Sequence, residues 1–165
     1  MGTNHMGRQS IRFPQPPVVR GFASVAGKKE REGPLGDQFT ATVQDTTFGE
    51  KSWEQAERRM QQMTLELALE KAGLTDADLD AAFAGDLLNQ CIGSSFSLRN
   101  RGVPTLGLYG ACSTMAESLL LAAMSVSGGF ARTALAMTSS HFASSERQYR
   151  FPLGYGGQRT PTSQW

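Results

Sequence analysis

Cys112 is the residue whose neighbours best prepare it for chemistry. A short apolar stretch, Thr105 to Tyr109, runs into Gly110-Ala111-Cys112, and an apolar run from Met115 to Met124 follows at once. That order reads as a strand, a tight turn and a helix. The first amides of a helix have no internal partners and carry partial positive charge. A cysteine placed there has its thiolate favoured, which suits a nucleophile and equally suits an anion-binding pocket. A nucleophile would also need a base and an oxyanion hole. The chain has two histidines, and His141 is the one outside residues 1–7. Its place beyond a strand reads as a hydrogen-bonded structural residue rather than a base for Cys112. Three roles stay open for Cys112: pocket residue, idle thiol or catalytic nucleophile.

Asp86 closes the apolar stretch Leu79 to Gly85, which reads as a second strand. Open parallel sheets place their ligands beyond the carboxyl ends of the strands, so Asp86 is a candidate ligand contact. The competing role is a cap for the turn that follows it. Asn89, Gln90 and Ser113 are polar neighbours of these two positions and candidate pocket lining. Cys91 reads as packing, since free cysteine behaves as a small hydrophobe. Glu117, inside an apolar helix, calls for a partner. One usable histidine and two distant cysteines make no zinc site, and no cofactor is expected.

These residues need a scaffold, and the chain is long enough for one domain with a core. It has 165 residues, 19% of them charged, and a formal net charge of +1, which gives no electrostatic bias toward nucleic acid or acidic lipid. No apolar run reaches membrane-spanning length. Two cysteines without secretory marks suggest free thiols in a reducing compartment. Residues 1–7, Met-Gly-Thr-Asn-His-Met-Gly, read as an expression remnant, and residues 8–17, with Pro14, Pro16 and Pro17, as an extended arm. Val18 to Val25 reads as the first strand, and Lys28 to about Lys51 as a solvated loop. Ser52-Trp-Glu-Gln55 is a capping box. Its helix runs to Ala72, with Trp53, Ala56, Met60, Met63 and Leu67 facing the core and Glu54, Glu57, Arg58, Arg59, Gln61 and Gln62 facing water. Gly73 ends it. A short helix is expected over Ser94 to Asn100 and a fourth, interior strand over Arg132 to Thr138. From Ser139 onward at most one helical turn, within residues 144–150, is expected. Strand and helix alternate, so the fold class is α/β with a parallel sheet and helices packed on it.

The order of elements resembles the first half of the thiolase superfamily, which includes the ketoacyl synthases. The resemblance is closer to the stage V sporulation protein AD family of spore-forming bacteria. It is carried by Lys29-Glu-Arg-Glu-Gly-Pro-Leu-Gly36, Ala84-Gly-Asp-Leu-Leu-Asn-Gln90, Tyr109-Gly-Ala-Cys-Ser-Thr114, Gly128-Gly-Phe-Ala131, Thr138-Ser-Ser-His141, Glu146-Arg-Gln-Tyr-Arg-Phe-Pro152 and Tyr155-Gly-Gly-Gln158. The resemblance implies a thiolase-like fold of two similar halves, with residues 18–165 forming the first half up to its last strand. It also implies a buried central helix after Cys112, a pocket between the halves and a homodimer. The implied role is non-catalytic: binding dipicolinic acid, with calcium, for uptake into the developing spore. The setting would be cytoplasmic, peripheral to the spore inner membrane through other stage V sporulation A proteins. Dipicolinate is a dianion, so Asp86 would need a bridging calcium or a shared proton to lie beside it. The rival is an acyltransferase, similar to 3-ketoacyl-ACP synthase III, using Cys112 as nucleophile, with its base and oxyanion partners in the second half. A third possibility is a subunit that only mediates assembly. Apolar surface meant for the second half would be exposed in this chain and would favour self-association.

Overall fold

The computed structural model describes residues 4–146. In chain order, β1 (His5–Met6) and β2 (Ser10–Ile11) form a small antiparallel pair. Next, β3 (Val25–Ala26) pairs in parallel with β4 (Ala41–Thr42), with the short helix α1 (Lys28–Arg31) between them. The long helix α2 (Trp53–Ala72) leads to β5 (Ala81–Asp86), α3 (Ile92–Leu98), β6 (Thr105–Leu108), α4 (Thr114–Ser127) and β7 (Ala134–Ser139). The three longer strands make one parallel sheet in the order β6-β5-β7. Its register aligns Ala82 with Thr105 and Ala81 with Ala134.

The limits of α2 follow from its ends. Ser52 Oγ accepts from the Gln55 N–H at 3.3 Å, and Gly73 takes the left-handed conformation, φ 65°, which glycine adopts without a Cβ penalty. The Leu74 N–H then bonds back to the Leu69 carbonyl at 3.0 Å.

The central strand β5 is buried on both faces. Ala82 and Ala84 pack with Leu65, Leu79, Leu98, Val103 and Met137 on the α2 and α3 side. Phe83 packs with Leu108 and Ala122 on the α4 side. Leu65, 1% exposed, is the helix's main contribution to the first cluster, and trimming it to alanine costs about 2–5 kcal/mol.

Several expectations need correction. Val18 to Val25 does not form a strand; only Val25–Ala26 pairs. The segment is pressed against α2 instead. A Cβ on Gly21 would lie 2.8 Å from the Ala68 carbonyl oxygen, and Val18, Val19 and Phe22 are left facing solvent. On α2 the buried stripe is Ala56, Glu57, Met60, Gln61 and Leu65, rotated from the expected one. Trp53 is exposed, and Met63 and Leu67 are only half-buried. Glu57 and Gln61, expected on the water side, are 4% and 2% exposed. Helix α3 begins two residues earlier than expected. Helix α4 is buried on one face only: Thr114, Ser118 and Ala122 meet the sheet, while Met115, Leu119, Leu120 and Met124 are exposed. Its apolar sequence suits burial all round, but nothing among the described residues covers those faces.

Candidate functional site

All three strands of the sheet run toward the same edge, and there β5 ends in Asp86, 4% exposed. The next helix, α3, starts from Cys91, whose backbone is left-handed (φ 51°) and whose side chain makes no cap. Asp86 does that work from the strand end. Its Oδ2 accepts from the Gly93 N–H at 2.6 Å, and its Oδ1 accepts from the Ser94 N–H at 2.8 Å. Gln61 on α2 adds a third donor, Nε2 to Oδ1 at 3.1 Å. A carboxylate offers about four lone-pair sites, and three are taken here. Asp86 is therefore the cap of the following helix, with room on Oδ2 for one contact more.

Around Asp86 lies a polar network that the sequence pattern hid. Gln61 also donates to Ser139 Oγ at 2.5 Å and accepts from Ser97 Oγ at 2.8 Å. Glu57 Oε1 accepts from Ser139 Oγ at 2.7 Å, and Glu57 Oε2 accepts from Ser144 Oγ. The network joins α2, β5, α3 and the end of β7. Its one legible signal is the one-turn spacing of Glu57 and Gln61, each directly following an apolar residue of the buried stripe. A cavity of about 150 Å³ opens beside it. Glu54, Glu57 and Asp86 give it three carboxyl groups, and Leu88, Gln90, Ile92, Gly93 and Ser144 complete the wall. No group of three or more His, Cys, Asp or Glu among the described residues is placed to hold a metal ion.

Cys112 lies at the same edge of the sheet but lines neither this cavity nor the larger apolar groove along β7. It is exposed, in a single 3-10 turn (Ala111–Ser113) that enters α4. Ala111 takes φ 48°, a left-handed conformation rare for a residue with a side chain. The turn is fixed from below. Ser113 Oγ donates to the Gly110 carbonyl at 2.7 Å, and Thr114 Oγ1 accepts from the Gly110 N–H at 3.1 Å. Glu117 packs behind Gly110, and its Oε2 is buried without a hydrogen-bond partner among the described residues. Asn89 and Gln90 are exposed, and of the two Gln90 reaches the cavity wall. Cys91 is half-buried and donates its S–H to the Leu108 carbonyl at 3.3 Å.

His141 is held by backbone groups at both ring nitrogens. Its Nδ1 accepts from the Ala143 N–H at 3.2 Å, which leaves Nε2 to donate to the Thr46 carbonyl at 2.8 Å. Its ring stacks on Trp53 at 5.6 Å. Both nitrogens are engaged, as expected of a hydrogen-bonded histidine at this place.

Comparison with known proteins agrees with the motifs at this edge. The family described as Stage V sporulation protein AD (SpoVAD) matches residues 7–165. The chain belongs to the SpoVAD family. It is 44% identical over 157 residues to the Stage V sporulation protein AD of Bacillus subtilis (strain 168), covering 95% of this chain and 46% of that protein. The chain thus spans about half the length of its SpoVAD relative. The family places it among the stage V sporulation proteins. Among the described residues no helix is long and apolar enough to cross a membrane.

Proposed function

We propose that this chain carries part of the ligand site of a SpoVAD-type protein that binds dipicolinic acid together with calcium, for uptake into the developing spore, without turning it over. The observation that carries this reading is the cavity beside Asp86. Three carboxyl groups line it, so a bare dianion entering there is repelled, whereas a calcium–dicarboxylate complex is not. Calcium takes six to eight oxygen ligands and favours carboxylates. Asp86 has about one lone pair to offer, so most of that shell comes from the ligand and from water. Calcium is then cargo that arrives with the acid. The shared-proton alternative fits less well, because every donor to Asp86 is an N–H group, a pattern made for a carboxylate.

The site residues in this reading are Asp86 with Gln90 at its rim. Cys112, Ser113 and Asn89 stand on the neighbouring loops at the same edge. Partners would be other stage V sporulation A proteins and a second copy of the chain, for which the edge of β6, unpaired among the described residues and with Leu106 exposed, offers a surface. Membrane attachment would be peripheral, through those partners.

Calorimetric titration with dipicolinate, with and without calcium, tests the reading. Heat is expected only when both are present, and Asp86→Asn should weaken it in protein whose circular dichroism is unchanged. An affinity indifferent to calcium and to that substitution rejects the proposal. A second reading, covalent acyl transfer, is favoured by one feature: an exposed thiol at the entry of the 14-residue helix α4. Intact mass after incubation with acyl thioesters separates the two, since an adduct on Cys112 belongs to the enzyme alone.

A further inference from the structure

The segment that follows β7 reaches the wall of the Asp86 cavity, and two of its contacts hold it there. At its start His141 is pinned by the Thr46 carbonyl and by the face of Trp53. Three residues on, Ser144 Oγ donates to Glu57 Oε2 while Ser139 Oγ donates to Glu57 Oε1. Phe142–Glu146 form one π-helical turn, a geometry that occurs mostly as single turns and often at functional sites. Ser144 is 7% exposed and is itself part of the cavity wall, so the hydroxyl that Glu57 holds also bounds the cavity. Burying a carboxylate costs far more than burying an amide or hydroxyl. Glu57 secures this segment through hydroxyl donors, which water or a ligand can replace without breaking any backbone pairing.

We infer that residues 140–146 are a strap along one wall of the Asp86 cavity, held in by Glu57, and that release of Ser144 from Glu57 widens the cavity. What enters rests on the ligand reading given above; the strap does not. Amide hydrogen exchange on this chain tests it, comparing peptides over residues 140–146 with peptides over β5. Ser144→Ala and Glu57→Gln should each speed exchange in the strap by about tenfold or more, as expected for losing a charge-assisted hydrogen bond, while β5 stays protected. Unchanged strap exchange in both variants overturns the inference. So does equal acceleration in β5, which marks general loosening. The mild Ser144→Ala change keeps the test usable if Glu57→Gln fails to fold. Titration with calcium dipicolinate then gives a second readout. Ser144→Ala should bind several-fold tighter than the parent, because the held-in wall no longer competes, and equal affinity overturns the gating role. If neither protein binds, the ligand reading falls, and the exchange result still decides the strap.

Discussion

Gln61 donates its side-chain amide to Asp86 at 3.1 Å, and that contact fastens the middle of α2 to the end of the central strand. The same amide reaches Ser139, and its carbonyl takes the Ser97 hydroxyl. Gln61→Leu removes all three bonds and leaves buried Asp86 and Ser97 and half-buried Ser139 each one partner short, so unfolding free energy should fall by about 2–4 kcal/mol. Urea denaturation measures it. The exposed Glu54→Gln, about two turns away, should change stability by no more than about 0.5 kcal/mol.

Gly110 sets the attitude of the Cys112 turn. A Cβ there would lie 2.5 Å from Ser113 Oγ and 2.9 Å from Glu117 Oε2, so Gly110→Ala must displace the Ser113 hydroxyl that ties the turn to the Gly110 carbonyl. Alkylation of Cys112 by iodoacetamide should change rate at least severalfold. The sheet is untouched, and the stability cost should stay near about 1–3 kcal/mol.

Acid should weaken the fold through three exposed carboxylates. Asp80 is held below its ordinary value of 3.8 by the Thr133 and Arg132 backbone N–H groups. Asp78 is held below that value by the Thr75 N–H and then its hydroxyl, and Asp45 by the Thr47 N–H, its hydroxyl and the Gly49 N–H. A carboxylate depressed in the folded chain contributes stability above its unfolded value, and that contribution is lost as pH falls through the folded one. The thermal midpoint should therefore drop as pH falls below about 4. Asp80→Asn should flatten part of that slope.

The open faces of α4 predict association. Leu119, Leu120 and Met124 are 47%, 44% and 44% exposed, contiguous apolar surface of the kind that marks an interface. Elution volume should fall with rising concentration, and Leu119→Glu should reduce the effect. A strictly monomeric profile over a wide concentration range would remove the prediction.

The sequence made much of this fold legible where local rules decide the outcome. Ser52 and Gly73 bounded α2 because a cap and a left-handed glycine act within a few residues. The strands ending at Asp86 and Leu108 were visible as apolar runs bounded by polar or glycine residues. Asp86 itself was legible as a cap or a site, and it caps a helix. What stayed hidden depends on tertiary partners. Val18 to Val25 has strand composition but meets a helix. Glu57 and Gln61 look like solvent residues because their type says nothing of Ser139 or Ser144, which lie 82 and 87 positions from Glu57 along the chain. Trp53, a natural core residue, is instead half of a stacked pair with His141, an arrangement no helical period encodes.

The closest approach in this part of the molecule is at Gly85, where a Cβ would lie 2.2 Å from the Leu108 carbonyl oxygen and 2.6 Å from Thr114 Cγ2. With no slack there, the loop leaving Asp86 and the turn bearing Cys112 form one joint rather than two hinges. Any side chain at position 85 would have to force the strand end and that turn apart, so the seat of the Cys112 turn against β5 depends on the absence of one.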